Sequence, residues 1–423
     1  MTGEPASLTA RLAAAAHAVG EQARAAGPSE RWTEYAVVLL ADCLAAVTAA
    51  GERIPSVGGV RSMERAAALA LAAHHQDRDD LHWRAGVHPG SIIWPVVCSA
   101  DPAIDAATRR AAAAAGYAAM VGTARVLGPA HGRHWHLTAT AGTAGAGMAA
   151  AVLAGLSPQD CATAMSHALA TAGGVGQVLV ERTAGAAVNR AGAVIGGILA
   201  AQAAAAGLTA AEQVLEGPRG LLPATGAWAD RADPDDLVRA MSEAITSMPD
   251  ALTTTSVRLY PTTGFLQSAV AGVRRLRAQV TGQPDRILVT LAAPVAALTG
   301  ERGVRDEWWS ARRCLAAAWL AEDVWQVADR AAGLDAELAS LMARVSVVSA
   351  DQPLWSAAVQ CEPGGQAGVA TTAAVTVATP PGWDALTDRA GCLDKWTAMG
   401  VRPELVLDRA RELLIGPVTA SGC

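Results

Sequence analysis

The chain has 423 residues, a net charge of −6 and no basic tract, which argues against a nucleic-acid footprint and leaves room for two domains with a core able to bury an active site. Apolar residues make up 52%, led by alanine, with one phenylalanine (Phe265) and three tyrosines, a balance that favours closely packed helices. Seven scattered cysteines without CxxC spacing fit reduced thiols in a cytoplasmic protein, and Lys395 is the one lysine among 33 basic residues, so lysine chemistry has a single candidate.

In chain order, the opening MTGEPASLTARL lacks the basic and apolar regions of an export signal. Gly and Pro punctuation predicts helices over 33–50, 104–127, 157–172 and 191–206. The uncharged runs 135–159 and 191–211 are long enough for membrane spans, but they are Ala, Gly and Thr with few large aliphatics, so they read as buried core helices and no membrane is expected. The helical pattern ends near SMPDALTTTSVRLYPTTG, beyond which 286–295, 343–350 and 368–378 carry the β-branched or alternating pattern of strands, with a helix over 308–332 between the first two. The tail returns to helix. The fold class is therefore mainly α, with an all-α domain over 1–247, an α+β domain over 248–384 and C-terminal helices over 385–423 that return to the first domain.

The stretch HGRHWHLTATAGTAGAGMAAA (131–151) raises zinc through His131, His134 and His136. A helix would turn His136 away from the other two, and the next acid is Asp160, so a single acting histidine and no metal is the preferred reading. GAGMAA within it fits a loose dinucleotide fingerprint but follows no strand, so its small residues read as helix packing. In HHQDRDDLHWRAGVHPGSIIWP (74–95), Asp77, Asp79, Asp80, His82 and His88 crowd a loop ahead of an apolar run, either as a solvated surface or as groups for proton transfer. Asn189 and Arg190 interrupt a small-residue helix, and Arg258 and Tyr260 precede Pro261; arginine suits carboxylate binding. The absence of GxSxG, Walker and HExxH motifs removes several hydrolase and phosphotransfer classes.

Taken together, DRDDLHWRAGVHPGSIIWP, HWHLTATAGTAGAGMAAAVLAGLS, GILAAQAAAAGLTAAEQVLEGPRGLL, VRLYPTTGF and LDKWTAMG are similar, in order and spacing, to segments of the MmgE/PrpD family, which includes 2-methylcitrate dehydratase, cis-aconitate decarboxylase and iminodisuccinate epimerase. The resemblance implies a large all-α domain built from both ends of the chain, a smaller α+β lid domain, a cleft between them, a homodimer, and neither metal nor nucleotide. It places Asp77, His88 and His136 at family active-site positions. It also exposes departures: Leu81 stands where the family has Thr, Ala186 and Asn189 where it has Lys and His, Arg258 where it has Lys, and Arg313 where it has Tyr. These argue against tricarboxylate substrates, and against decarboxylation of cis-aconitate above all.

The sequence thus points to a cofactor-independent, dehydratase-like lyase acting on a small carboxylate, with His136 and His88 as the acid/base pair and Asp77 in support. Expected substrate contacts are His82, Asn189, Arg190, Arg258, Tyr260 and Arg313. The alternatives are an isomerase, epimerase or cyclase of a specialised metabolite, and a non-catalytic binding or scaffold protein.

Overall fold

The structure, a computed structural model, describes residues 6–27, 30–51, 63–74, 77–181, 183–227, 235–280, 282–300, 309–320, 336–363 and 373–416. By chain contacts it divides into two units, the first comprising Met1–His75, Asp79–Ser256 and Arg402–Cys423, the second Gln76–Arg78 and Val257–Val401. The tail is shared: its earlier helix belongs to the second unit, its later one to the first.

The first unit is helical. It holds α1 (Leu8–Ala25), α2 (Arg31–Ala50), α3 (Met63–Ala73), α4 (Gly90–Cys98), α5 (Ala106–Gly132), α6 (Leu137–Leu153), α7 (Pro158–Ala170), the short α8 (Gln177–Val180), α9 (Gly185–Ala205), the short α10 (Leu221–Ala224) and α11 (Asp235–Ser247). The alanine-rich composition acts here through packing distance: α6 is buried along nearly its whole length between α5 and α9. Its approach to α9 leaves no room for side chains, since a Cβ added at Gly197 would meet Ala146 Cβ at 2.4 Å and Gly147 N at 2.5 Å. The GAGMAA segment is therefore a helix-packing surface inside α6, as its context implied.

In the second unit, α12 (Gln267–Arg277), α13 (Ala293–Thr299), α14 (Ala311–Leu320), α15 (Ala336–Met342) and α16 (Arg389–Ala398) accompany β1 (Pro284–Ala292), β2 (Val345–Ala350), β3 (Ala357–Pro363) and β4 (Ala373–Val377). The sheet order is β2-β1-β3-β4, with β1 and β2 parallel and the other two pairings antiparallel. Ile287, Val289 and Leu291 of β1 face a core shared with Leu315 and Trp319 of α14 and Val359 of β3. Strand β3 is absent from the sequence expectation because AAVQCEP is poor in β-branched residues and holds its place through pairing on both sides. Part of the expected helix 308–332 and of the expected strand 368–378 lies outside the described residues.

Chain return to the first unit is made by α17 (Pro403–Leu414). Arg110, buried in α5, donates to Leu414 O at 2.5 Å and to Ala23 O at 3.3 Å, so one guanidinium takes up carbonyls from the ends of α17 and α1. Arg109 does the same for α4, donating to Val97 O at 2.7 Å. Among the described helices, α2 alone is long and apolar enough to cross a membrane, and 72% of its most apolar window is buried within the protein.

Candidate functional site

The predicted site residues fall into two sets, one in each unit. In the first unit, His88 and Pro89 lead into α4, His136 caps the start of α6, and Asn189 and Arg190 lie on the first turns of α9.

His88 is held by its own loop. Its Nδ1 lies 2.6 Å from the backbone oxygen of Asp80. A carbonyl oxygen only accepts, so Nδ1 carries the proton, and in the neutral ring the Nε2 lone pair remains. The Asp80 side chain secures the same turn from the other side: Oδ1 accepts from Gly90 N at 2.7 Å and Oδ2 from the Tyr117 hydroxyl at 2.7 Å. A Cβ at Gly90 would sit 2.5 Å from Asp80 Oδ2, which explains why glycine follows His-Pro here. Burial raises the Asp80 carboxyl to about 7, against the lowering effect of those two hydrogen bonds.

His136 is buried, and its backbone N donates to Gly174 O at 2.7 Å. Burial pushes its pKa well below the ordinary histidine value; the nearby charges of Arg190, His74 and His88 add to that, and Asp79 opposes it. The ring is therefore neutral near pH 7. Asn189 Nδ2 lies 3.3 Å from His136 Nδ1, an arrangement in which Nδ1 accepts and Nε2 carries the proton.

Arg190, also buried, donates from Nε to Ser91 Oγ at 3.2 Å and from NH1 to Ala186 O at 3.0 Å, and its Nε lies 3.6 Å from Asp79 Oδ2. Asp79 in turn lies 3.1 Å from His74 Nδ1 and 3.8 Å from His88 Nδ1. The sequence places Asp79 in the crowded loop without selecting it, and His74 opens that stretch without being singled out. The DxDD spacing does not reveal which carboxylate joins the histidines.

His82 has a different occupation. Its Nδ1 accepts from Ala85 N at 3.2 Å, and its Nε2 donates to Thr254 Oγ1 at 3.0 Å, which itself donates to Asp250 O. Both ring nitrogens are thus spent on the loop, and burial lowers its pKa to about 4. The three clustered histidines also separate. His131 is fully buried with its ring nitrogens on Thr225 (3.0 Å) and Thr140 (3.1 Å) and stacks on Trp135, while His134 is exposed. Leu81, at the family's threonine position, is buried and pairs through its backbone with Ser256.

In the second unit, Asp77 takes a left-handed backbone conformation (φ 55°), uncommon outside glycine. Its Oδ1 lies 3.1 Å from Arg258 NH1 and its Oδ2 accepts from Trp309 Nε1 at 2.8 Å. Trp309 was not anticipated. Tyr260 packs against the sheet core, its backbone tied to Gln267 in both directions, and Arg313 is buried on α14.

Comparison with protein families matches the MmgE/PrpD N-terminal domain over residues 25–234, a span that contains both histidines, Asp79 and Arg190. No curated protein matches the chain.

Proposed function

The chain belongs to the MmgE/PrpD family, whose members are generally enzymes acting on small carboxylates, and on that premise we propose that it is a cofactor-independent, dehydratase-like lyase whose proton transfer runs on histidine. The observation that carries this reading is the His88 contact with Asp80 O at 2.6 Å, because it puts the ring proton on Nδ1 and makes Nε2 the accepting nitrogen of the neutral ring.

In the proposed step, His88 Nε2 takes the proton α to the substrate carboxylate, and the C–H electron pair moves into the developing enolate. His136, neutral and bearing its proton on Nε2, donates a hydrogen bond to the oxygen on which charge collects. A neutral imidazole of lowered basicity suits that role better than an imidazolium would. Elimination then expels the β-hydroxyl, which leaves as water with the proton carried by His88. Protonation of the same carbon on its opposite face by a second donor, with His88 keeping the proton it took, gives an epimer instead.

This account of proton transfer uses the first unit alone. We further propose that Arg258, Tyr260 and Arg313 bind the substrate, with Asp77 in support. A cytoplasmic homodimer belongs to the same proposal. In its support, Val188, Ile195 and Leu199 of α9 and Val175 and Val180 beside it are exposed apolar side chains of the kind that self-association covers.

Mass spectrometry after incubation with a panel of small hydroxy di- and tricarboxylic acids tests the class. The expected product is lighter than its substrate by one water. Unchanged mass with inverted configuration would assign an epimerase, and no change in any acid would favour a binding protein.

A further inference from the structure

Asp77 is the carboxylate expected in support of the histidines, and its oxygens meet Arg258 and Trp309; Asp79 meets His74, His88 and Arg190. We infer that Asp79 is the carboxylate that stabilises the proton on His88, and that His74 competes with His88 for it. The inference rests on His88 being the proton acceptor.

His74, Arg190 and His88 all lie against the one Asp79 carboxylate. Asp79 is buried, 2% exposed, with Oδ1 3.1 Å from His74 Nδ1 and Oδ2 within reach of both Arg190 Nε (3.6 Å) and His88 Nδ1 (3.8 Å). The two imidazoles stand on either side of it with ring centroids 6.4 Å apart. A carboxylate oxygen accepts, so His74 donates from Nδ1. Arg190 offsets the Asp79 charge in the resting site. When His88 takes a proton, its imidazolium charge arises beside Asp79 and is stabilised there; a proton gained by His74 uses the same negative charge and opposes the one on His88. Other titratable groups that bear on this cluster are His136 at the start of α6, Asp77 and Asp80 in the same loop, Tyr117 of α5 and Asp42 of α2. Asp79 and His74 are thus positioning residues, acting on the reaction through the ionisation of His88.

A measurement that needs no substrate tests this. In the full-length protein labelled with 15N-histidine, multiple-bond 1H–15N spectra follow each ring nitrogen with pH, the His88 signals being assigned by their loss in His88→Gln. Asp79→Asn is expected to lower the His88 midpoint by about one pH unit or more, and Asp79→Glu to restore part of it. His74→Gln is expected to raise the midpoint, because Asp79 loses its second imidazole. His74→Gln retains the Asp79–Arg190 pair, so it decides the matter even if Asp79→Asn fails to fold. An unmoved His88 midpoint in His74→Gln, or in folded Asp79→Asn, overturns the inference. Absence of turnover in wild type alongside shifted midpoints would instead overturn the enzymatic reading and leave the Asp79 assignment standing.

Discussion

Replacing His88 with glutamine lowers turnover of the cognate acid by at least about 100-fold, the usual lower bound for removing a general base. The expected size follows from the proposed division of labour between the two histidines. His136 is neutral and directs its acceptor nitrogen at Asn189, so it cannot take over as the base without reversing its tautomer. Glutamine at 88 retains an amide N–H able to reach the Asp80 carbonyl, so the turn before α4 is kept while the basic lone pair is lost. The kinetic signature is a fall in kcat with little change in KM, since an interaction made only during proton transfer has gone. A loss confined to KM would place His88 in binding instead.

The second large effect is on stability and comes from Asp80. Its folded pKa of about 7 stands above the unfolded value near 3.8. Between those two pH values the folded protein holds a proton that the unfolded chain has released, so this group's contribution falls as pH rises through the window and is fully lost above about 7. The difference of roughly three units corresponds to about 4 kcal/mol as an order of magnitude. His82 and His131 run the other way: burial depresses both to about 4, and their contribution is present above the unfolded value of 6.5 and lost as pH falls. Wild-type stability alone therefore mixes opposing slopes. Asp80→Asn separates them, because its amide can still accept from Gly90 N and can donate to the Tyr117 hydroxyl oxygen. In denaturant titrations at pH 4, 5.5, 7 and 8, wild type is expected to lose stability relative to Asp80→Asn steadily up to pH 7. A constant difference across the series would show that Asp80 is ionised throughout.

Much of the fold is legible in the sequence because its determinants are local. Gly and Pro punctuation marks α2, α5, α7 and α9, and β-branched runs mark β1, β2 and β4. Strand β3 escapes because pairing with β1 and β4, rather than residue preference, makes it extended.

The site is legible to a lesser depth. Resemblance picks out His88 and His136, but hydrogen-bond partners decide what each ring can do, and those partners are distant in sequence or supplied by the backbone. Asn189 lies 53 residues from His136, and the acceptor for His88 is a carbonyl that any residue at position 80 would offer. His82 looks as functional as His88 in the sequence, yet contacts to Ala85 and Thr254 use up its nitrogens. Asp77 has a left-handed backbone, and Arg258, His74 and Tyr117 are partners of Asp77, Asp79 and Asp80 in turn, none of them legible from the DxDD spacing.

Deuterium incorporation tests the central claim most directly, that this protein moves a proton on a small carboxylate using the histidines of its helical unit. With a panel of candidate acids incubated in deuterated water, wild type is expected to place solvent deuterium on carbon in at least one acid, and His136→Ala to lose that incorporation. No incorporation in any acid, or an undiminished rate in His136→Ala, would contradict it.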